Sequence, residues 1–93
     1  MTIRSWRDTS AEELFRTGRN KRWATIKAVA LRKLDMLDAA AVLTDLASPP
    51  GNKLEALRGD RAGQHSIRIN GQWRLCFIWT EAGPEGVEII DYH

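Results

Sequence analysis

The side chains best suited to acid–base chemistry lie together at the end of the chain, as Asp91, Tyr92 and His93. Two arginines, Arg68 and Arg74, flank a candidate hairpin turn upstream of them. Cleavage of RNA by its own 2′-hydroxyl requires a base for that proton, cations for the charge that develops on the phosphate, and an acid for the 5′ leaving oxygen. These five residues could supply all three roles without a metal ion. A tyrosine needs neighbouring positive charge before it can act as a base near neutral pH, and its ring could instead stack on an RNA base.

Motifs for several other chemistries are missing from the sequence. It contains no P-loop, GxGxxG, HExxH, GxSxG or CxxC pattern, so nucleotide-cofactor, zinc-protease, serine-hydrolase and thiol-redox functions have no support. Cys76 is the one cysteine, so we expect no internal disulfide and no structural zinc site. His65 begins a candidate strand, and we interpret it as a structural or rim residue. The sequence therefore predicts neither a cofactor nor a metal.

The length of 93 residues predicts one domain that spans residues 1–93, because a chain of this size buries only a modest core. The N-terminus has no apolar signal region, and no segment approaches the ~18 apolar residues of a membrane span. We therefore expect a cytoplasmic protein that does not contact a membrane.

The net charge of +2 conceals a segregation of charge along the chain. Residues 1–34 carry nine basic and three acidic side chains, whereas residues 75–93 carry four acidic and no basic ones. Ten of the fourteen cations are arginine, whose planar guanidinium suits bidentate contact with phosphate. This pattern favours nucleic acid or an acidic protein as a partner, although solvated helix faces would give the same pattern.

The first half of the chain has the patterns of helices. Residues 2–6 alternate in type and predict a short strand, and a capping-box pattern at Ser10 and Glu13 predicts a helix that ends at Gly18. From about Lys21, five apolar residues share one helical face and predict a core stripe: Trp23, Ile26, Ala30, Leu34 and Leu37. This helix, or a second short one through Leu46, must end before the Pro49–Pro50 pair.

The second half has the composition of strands, at residues 53–57, 65–69, 72–79 and 87–92. At the Asn70–Gly71 turn, a two-residue loop would pair Ile69 with Gln72. A three-residue loop with a glycine bulge instead places six apolar side chains on one face, namely Ile67, Ile69, Trp73, Leu75, Phe77 and Trp79. We favour this register because burial of six apolar side chains outweighs the turn preference.

In this register Arg68 and Arg74 lie side by side on the opposite face of the sheet. Adjacent guanidinium groups repel each other without an anion, so the pair could bind a phosphate. Alternatively, each arginine is separately solvated or pairs with Glu88 or Asp91. Together the elements predict an α+β fold, with an N-terminal strand and two or three helices packed on one face of a mostly antiparallel β-sheet.

Five segments of the sequence occur in a specific order and spacing. They are SPPGNKLE at 48–55, LRGDRAG at 57–63, SIRI at 66–69, QWRLCF at 72–77 and DYH at 91–93. Together they resemble the HigB branch of the RelE/ParE toxin superfamily over essentially the whole chain. The resemblance implies a RelE-like fold and the toxin of a type II toxin–antitoxin system. It further implies a metal-independent endoribonuclease that cleaves mRNA in the ribosomal A site and inhibits translation in the bacterial cytoplasm.

The resemblance also implies roles for particular residues. The family's catalytic positions fall on Arg74, Asp91, Tyr92 and His93, and its basic position before Gly-Asp-Arg falls on Arg58. Arg68 is added from the sheet-face argument. Clustered cations would contact RNA and the ribosome, namely Arg19, Lys21, Arg22, Arg32, Lys33 and Arg61. Some relatives carry histidine where this chain has Glu55, which leaves the division between acid and base open.

The expected partners are a cognate HigA-like antitoxin, the 70S ribosome and mRNA, with DNA contacted only through the antitoxin. The alternative is a non-enzymatic ParE-like inhibitor that binds gyrase or another protein, because a shared fold does not fix function. The terminal Asp91–His93 segment favours the nuclease, since a pure binder has no need for these side chains.

Overall fold

The computed structural model describes residues 2–91, so Tyr92 and His93 lie outside the described residues. Two α-helices, Thr9–Thr17 (α1) and Lys27–Ala39 (α2), precede four strands: Glu55–Ala56 (β1), His65–Arg68 (β2), Trp73–Thr80 (β3) and Gly83–Asp91 (β4). The strands form one antiparallel sheet in the order β1-β2-β3-β4. The predicted α+β architecture is confirmed. Within residues 2–91, no helix has both the length and the apolar character that a membrane crossing requires.

Helix α1 begins two residues earlier than the capping-box pattern predicts. The side chain of Asp8, not that of Ser10, accepts hydrogen bonds from the first free backbone N–H groups, on Ser10 and Ala11. An aspartate at this position also interacts favourably with the positive end of the helix dipole. The predicted stop at Gly18 is confirmed, because this residue adopts φ 74° and its N–H donates to the carbonyl of Leu14.

The predicted apolar stripe is confirmed in full, since all five of its residues are buried in one core with α1 and the sheet. The predicted start of the helix at about Lys21 is wrong. Asn20 caps a separate 3₁₀ turn at Lys21–Trp23 by accepting from the N–H of Arg22, and α2 begins only at Lys27. The stripe therefore continues through two helical pieces.

The predicted sheet register is also confirmed. Ile67 pairs with Leu75, and Arg68 pairs with Arg74. The N–H of Ile69 donates to the carbonyl of Trp73 at 2.9 Å, so the loop between these two residues has the three residues predicted. The turn is closed by Asn70, whose side-chain oxygen accepts from the N–H groups of Gln72 and Trp73 at 2.8 Å each. The predicted glycine bulge is therefore wrong, because Gly71 does not take a positive φ.

A bulge lies instead in β4. Cys76 pairs with Glu88, but Ile78 pairs with Glu85, so β4 has one extra residue at this point. Gly86 lies in the extra stretch with φ 57°, a conformation that suits glycine.

The predicted N-terminal strand is reduced to one isolated parallel bridge, between Trp6 and Val87. The N–H of Arg4 donates to the carbonyl of Pro84 at 2.7 Å, so this segment still lies along the outer edge of β4. The two backbones approach closely, because a Cβ added to Gly83 would lie 2.4 Å from the carbonyl oxygen of Thr2. Glycine at position 83 makes this approach possible.

Asn52 ties the proline-rich segment to the helices. It is fully buried, and its side-chain amide donates to the carbonyls of Leu46 at 3.1 Å and Ser48 at 3.3 Å. Its side-chain oxygen accepts a hydrogen bond from the ammonium of Lys33 on α2. The 3₁₀ turn Pro50–Asn52 is thereby fixed against α2 immediately before β1.

Candidate functional site

The candidate site lies on the face of the sheet that points away from the helices. Directly paired residues of an antiparallel sheet share a face. The pairs therefore place one set of side chains together, and we call it the arginine face: Glu55, Ser66, Arg68, Arg74, Cys76, Glu88 and Ile90. The other face carries Ile67, Leu75 and Ile89, which are buried in the core.

A groove of about 550 Å³ runs along the arginine face. It is lined by the segment that contains β1 and by the end of β4, namely by Glu55, Ala56, Leu57, Arg58, Arg61, Ile90 and Asp91. The groove thus combines two guanidinium groups and two carboxylates with an apolar patch. Phosphate and a nucleobase could both find complementary chemistry here.

Arg74 is held firmly in the sheet. Only 6% of its surface is exposed, and its Nε donates to the hydroxyl of Ser66 at 2.8 Å. Its Nη2 donates to the carbonyl of Lys53 at 2.6 Å and to that of Ser66 at 3.3 Å. Arg74 pairs with Ile90, and Ile90 lines the groove. The arginine therefore lies on the same face of the sheet as the groove.

Arg68 lies directly opposite Arg74, as predicted, but it is half-buried and its Nε donates to the carbonyl of Asn70 at 3.2 Å. Backbone carbonyls therefore offset part of the repulsion between the two guanidinium groups, which the sequence predicts a bound anion to relieve. Glu88, considered above as a partner of these arginines, forms ion pairs with Arg7 at 3.6 Å and with Arg61 at 3.3 Å.

Arg61 also lines the groove. Its Nη1 lies 3.3 Å from Glu88, 3.2 Å from the side-chain oxygen of Gln64 and 3.7 Å from the sulfur of Cys76. Burial raises the pKa of the Cys76 thiol, an effect that Arg61 opposes. The thiol is thus kept protonated near neutral pH, which is the unreactive form.

The structure brings two further predicted residues to the groove. Arg58 is exposed and lines the groove. Asp91 is also exposed there, and its carboxylate accepts from the side-chain amide of Gln72 at 3.2 Å. Tyr92 and His93 lie outside the described residues, so their roles stay predictions.

Of the six predicted RNA-binding cations, four are exposed on or before α2, Arg61 lines the groove, and Lys33 is buried. Arg19, Lys21 and Arg22 are exposed between α1 and α2, and Arg32 is exposed on α2. The guanidinium of Arg22 lies 4.6 Å from the ring centre of Trp23. The prediction that Lys33 contacts RNA is wrong. Lys33 is only 8% exposed, and its ammonium donates to the buried side chain of Asn52.

Sequence reasoning missed the residues that hold Arg74 in place. Ser66 precedes an apolar strand residue, and Lys53 contributes only its carbonyl. Neither residue type therefore predicts a contact with Arg74. Asn52 follows Pro-Pro-Gly, a context that predicts an exposed turn. Only the distances in the folded chain reveal these contacts.

Comparison with solved structures places the fold in a class. The whole chain superposes on the whole of a YoeB/ParE toxin from Agrobacterium tumefaciens, with a TM-score of 0.57 and 20% sequence identity. An identity this low shows a shared fold and no more. The class is therefore that of RelE-like α+β proteins.

Comparison with protein families and curated sequences gives the closer relationship. Residues 4–93 match the model of the HigB-like toxin family, described as the RelE-like toxin of the type II toxin–antitoxin system HigB. Toxin HigB-1 of Vibrio cholerae is 47% identical over 58 residues, and these cover 62% of this chain and 61% of that protein. An uncharacterized protein of Haemophilus influenzae is 47% identical over 49 residues, which cover 53% of this chain and 48% of that protein. The matches thus span less than two thirds of each relative.

With the family model covering nearly all of its residues, this chain belongs to the HigB-like toxin family of type II toxin–antitoxin systems.

Proposed function

We propose that the chain is a toxin that acts as a metal-independent, ribosome-dependent mRNA endoribonuclease. The observation that carries the proposal is the immobilised guanidinium of Arg74 on the same sheet face as a groove lined by Arg58, Arg61 and Asp91. Membership of the HigB-like toxin family supports it.

The groove is suited to a single strand of RNA. Arg58 and Arg61 can contact phosphate oxygens, and the apolar atoms of Leu57 and Ile90 offer a surface for a base. Single-stranded RNA is commonly held by such a combination of positive charge and stacking or apolar contact.

The reaction is the attack of a ribose 2′-oxygen on the adjacent phosphorus. A base removes the 2′-hydroxyl proton as the new P–O bond forms, and an acid protonates the 5′-oxygen as its bond to phosphorus breaks. The products are a 2′,3′-cyclic phosphate and a free 5′-hydroxyl. Arg74 stabilises the negative charge that builds on the phosphate oxygens, and Asp91 with Tyr92 and His93 supplies the proton transfers.

Dependence on the ribosome follows from the small size of the protein. A 93-residue chain has little surface with which to orient a flexible RNA, and correct orientation is a large part of the barrier. A ribosome presents mRNA already extended in its A site. The exposed Arg19, Lys21, Arg22 and Arg32 contact ribosomal RNA.

The partners of this toxin are a cognate HigA-like antitoxin, the 70S ribosome and mRNA. DNA is reached only through the antitoxin, and the site of action is the bacterial cytoplasm. Arg68 takes part through its place beside Arg74, where it adds positive charge to the arginine face.

The decisive experiment maps mRNA 5′ ends after incubation with purified protein, with and without 70S ribosomes. Cuts confined to translated frames, lost in Arg74→Ala and on deletion of His93, support the proposal. The matched control is Arg16→Ala, which removes an exposed arginine that pairs with Glu12 within α1. Equal cleavage of naked RNA would remove the ribosome from the mechanism.

Two other outcomes would replace the proposed activity. If gyrase supercoiling falls while mRNA remains intact, the protein is a ParE-like inhibitor. If expression without the antitoxin arrests growth equally for wild type and Arg74→Ala, the toxicity does not depend on the proposed reaction.

A further inference from the structure

The backbone of Lys53 takes an uncommon conformation at the point where it contacts Arg74. Its φ of 47° and ψ of 54° are left-handed, which is rare for a residue with a side chain and is typically stabilised by its surroundings. Among residues 2–91, it is the one non-glycine residue with positive φ. In this conformation its carbonyl lies 2.6 Å from Nη2 of Arg74.

The segment before Lys53 is fixed by buried contacts. The N–H of Lys53 donates to the carbonyl of Pro50 at 3.1 Å. Asn52 is fully buried and bonds to the carbonyls of Leu46 and Ser48, and Lys33 of α2 bonds to its side-chain oxygen. The direction of the Lys53 carbonyl is therefore set by the packing of this segment against α2.

The guanidinium of Arg74 is held at two separate nitrogens. Nε is held by the buried hydroxyl of Ser66, and Nη2 by the carbonyl of Lys53. Because the group is planar, contacts at two of its nitrogens fix its orientation within the plane as well as its position. A charge that is oriented before the reaction stabilises a transition state without reorganisation during it.

We propose that the left-handed conformation of Lys53 orients the Arg74 guanidinium for phosphate stabilisation, which makes Lys53 a positioning residue that acts through its main-chain carbonyl. This inference rests on the proposed function. The side chain of Lys53 is exposed, so the role of its carbonyl can be separated from any role of its charge.

The test compares replacements that differ in their tolerance of positive φ. Lys53→Asn and Lys53→Gly remove the charge and permit the left-handed conformation, whereas Lys53→Val removes the same charge and opposes it. Single-turnover cleavage of ribosome-bound mRNA is measured for all three. We expect the maximal single-turnover rate constant (kcat below) for Lys53→Val to be at least tenfold below that of Lys53→Asn and Lys53→Gly, with half-saturating ribosome concentrations (KM below) within about threefold of one another.

Equal kcat values for the three variants would overturn the inference, because a charge effect alone lowers all of them together. A change confined to KM would also overturn it, since that result assigns Lys53 to binding. Thermal unfolding shows whether Lys53→Val is folded at the assay temperature. If it is not, Lys53→Ala replaces it, because alanine also disfavours positive φ and keeps Lys53→Gly as its matched partner.

An independent measurement separates failure of the inference from failure of the proposed function. The side-chain Nη–H signals of Arg74, which include the donor to the Lys53 carbonyl, are followed by ¹⁵N NMR on the isolated protein, and their exchange with water is compared among the variants. Slow exchange in wild type, Lys53→Asn and Lys53→Gly, with exchange at least tenfold faster in Lys53→Val, supports the positioning role even if wild type cleaves no mRNA. Equal exchange in all four proteins contradicts it whatever the cleavage result.

Discussion

At the scale of single residues, the candidate site depends on an arginine that is both buried and charged. A buried guanidinium is tolerated only when hydrogen bonds replace its water, and Ser66 and Lys53 provide such bonds to Arg74. The same contacts that permit burial also restrict the orientation of the group. Stability and the proposed catalysis therefore depend on the same few atoms.

The first prediction concerns Arg74→Lys. We expect it to lower the single-turnover cleavage rate by about 10²–10³-fold, the usual effect of removing a donor that stabilises transition-state charge. A single ammonium cannot reach both Ser66 and Lys53 and still face a phosphate. The control is Arg16→Lys on α1, whose partner Glu12 is an exposed carboxylate that either cation can pair with. A rate within threefold of wild type for Arg74→Lys would contradict the prediction.

The second prediction concerns Lys33, whose ammonium bonds to the fully buried Asn52. Lys33→Met removes the donor from the Asn52 oxygen, and we expect the free energy of unfolding to fall by about 1–3 kcal/mol. Urea denaturation measures this change. Arg32→Met is the matched control, because it removes the neighbouring exposed cation. Equal stability of the two variants would show that the buried bond contributes nothing.

The same residue has a consequence for the dependence of stability on pH. Burial, with a further contribution from Arg32, lowers the pKa of Lys33 from its ordinary value of 10.5. The native state therefore binds fewer protons than the unfolded state between the lowered pKa and 10.5, so this contribution to stability rises with pH in that window. The pKa of Cys76 is raised by burial, and its contribution falls as the pH increases.

Because the contributions of Lys33 and Cys76 change with pH in opposite directions, the contribution of Lys33 is obtained by comparing wild type with Lys33→Met. The free energy of unfolding of wild type minus that of Lys33→Met is measured from neutral pH towards 10.5. Cys76 contributes equally to both proteins, so we expect the difference to increase with pH. Parallel curves would mean that Lys33 has the same pKa in the folded and unfolded states.

How far the site could be predicted from sequence depends on the range of each contact. Arg68 and Arg74 are predicted correctly as neighbours because a local turn and a period of two fix which side chains share a face. The pairing of Lys33 with Asn52 spans 19 residues of chain, and no periodic pattern connects them. The sequence therefore predicts Lys33 as an RNA-binding cation, whereas its ammonium bonds to the buried Asn52.

At the scale of elements, apolar patterns predicted which residues are buried better than where each element begins. The stripe from Trp23 to Leu37 is buried as expected, because hydrophobic burial tolerates a break in the helix. The boundaries depend on single caps: Asp8 competes with Ser10, and Asn20 closes a turn before α2. Several residues could cap each end, so the sequence does not distinguish among them.

The third prediction concerns the close approach of the N-terminal segment to β4 at Gly83. This residue has φ 131°, and a Cβ on it would lie 2.4 Å from the backbone oxygen of Thr2. We expect Gly83→Ala to lower the free energy of unfolding by about 2–3 kcal/mol, since it adds both backbone strain and a clash with the main chain. For a domain of this size, Tm should fall by roughly 10 °C or more.

Gly51 provides the matched glycine control. No atom lies within 4 Å of a Cβ added there, and its φ is not positive. Gly51→Ala should therefore change Tm by no more than a few degrees. If calorimetry shows similar Tm values for both alanine variants, the N-terminal segment does not depend on the close approach at Gly83.

At the scale of the whole molecule, charge is distributed over two surfaces that serve different steps of the proposed function. The arginine face carries the groove, whereas Arg19, Lys21 and Arg22 are exposed where α1 joins α2. Charge counts along the sequence predict a basic segment at residues 1–34, which contains Arg19, Lys21 and Arg22. The sequence does not predict that Lys33 is buried or that Arg61 forms an ion pair with Glu88.

The fourth prediction separates ribosome binding from cleavage by changing the outer surface alone. Replacement of Arg19, Lys21 and Arg22 by Gln should weaken association with 70S ribosomes at least tenfold at moderate salt. It should also reduce the slope of log affinity against log salt by up to about two to three, because each phosphate contact releases condensed counterions. The rate of cleavage at saturating ribosome concentration should change much less, since the groove is untouched.

The control variant has the same net charge as the triple Gln variant but retains Arg19, Lys21 and Arg22. Glutamates at the exposed Ala41, Thr44 and Ala47 give the same net charge as the triple Gln variant, three units below the +2 of the parent chain. These positions follow the far end of α2, whose 13 residues extend about 20 Å. If both variants bind ribosomes equally weakly, net charge governs association. If only the Gln variant is impaired, the ribosome contacts the surface between α1 and α2.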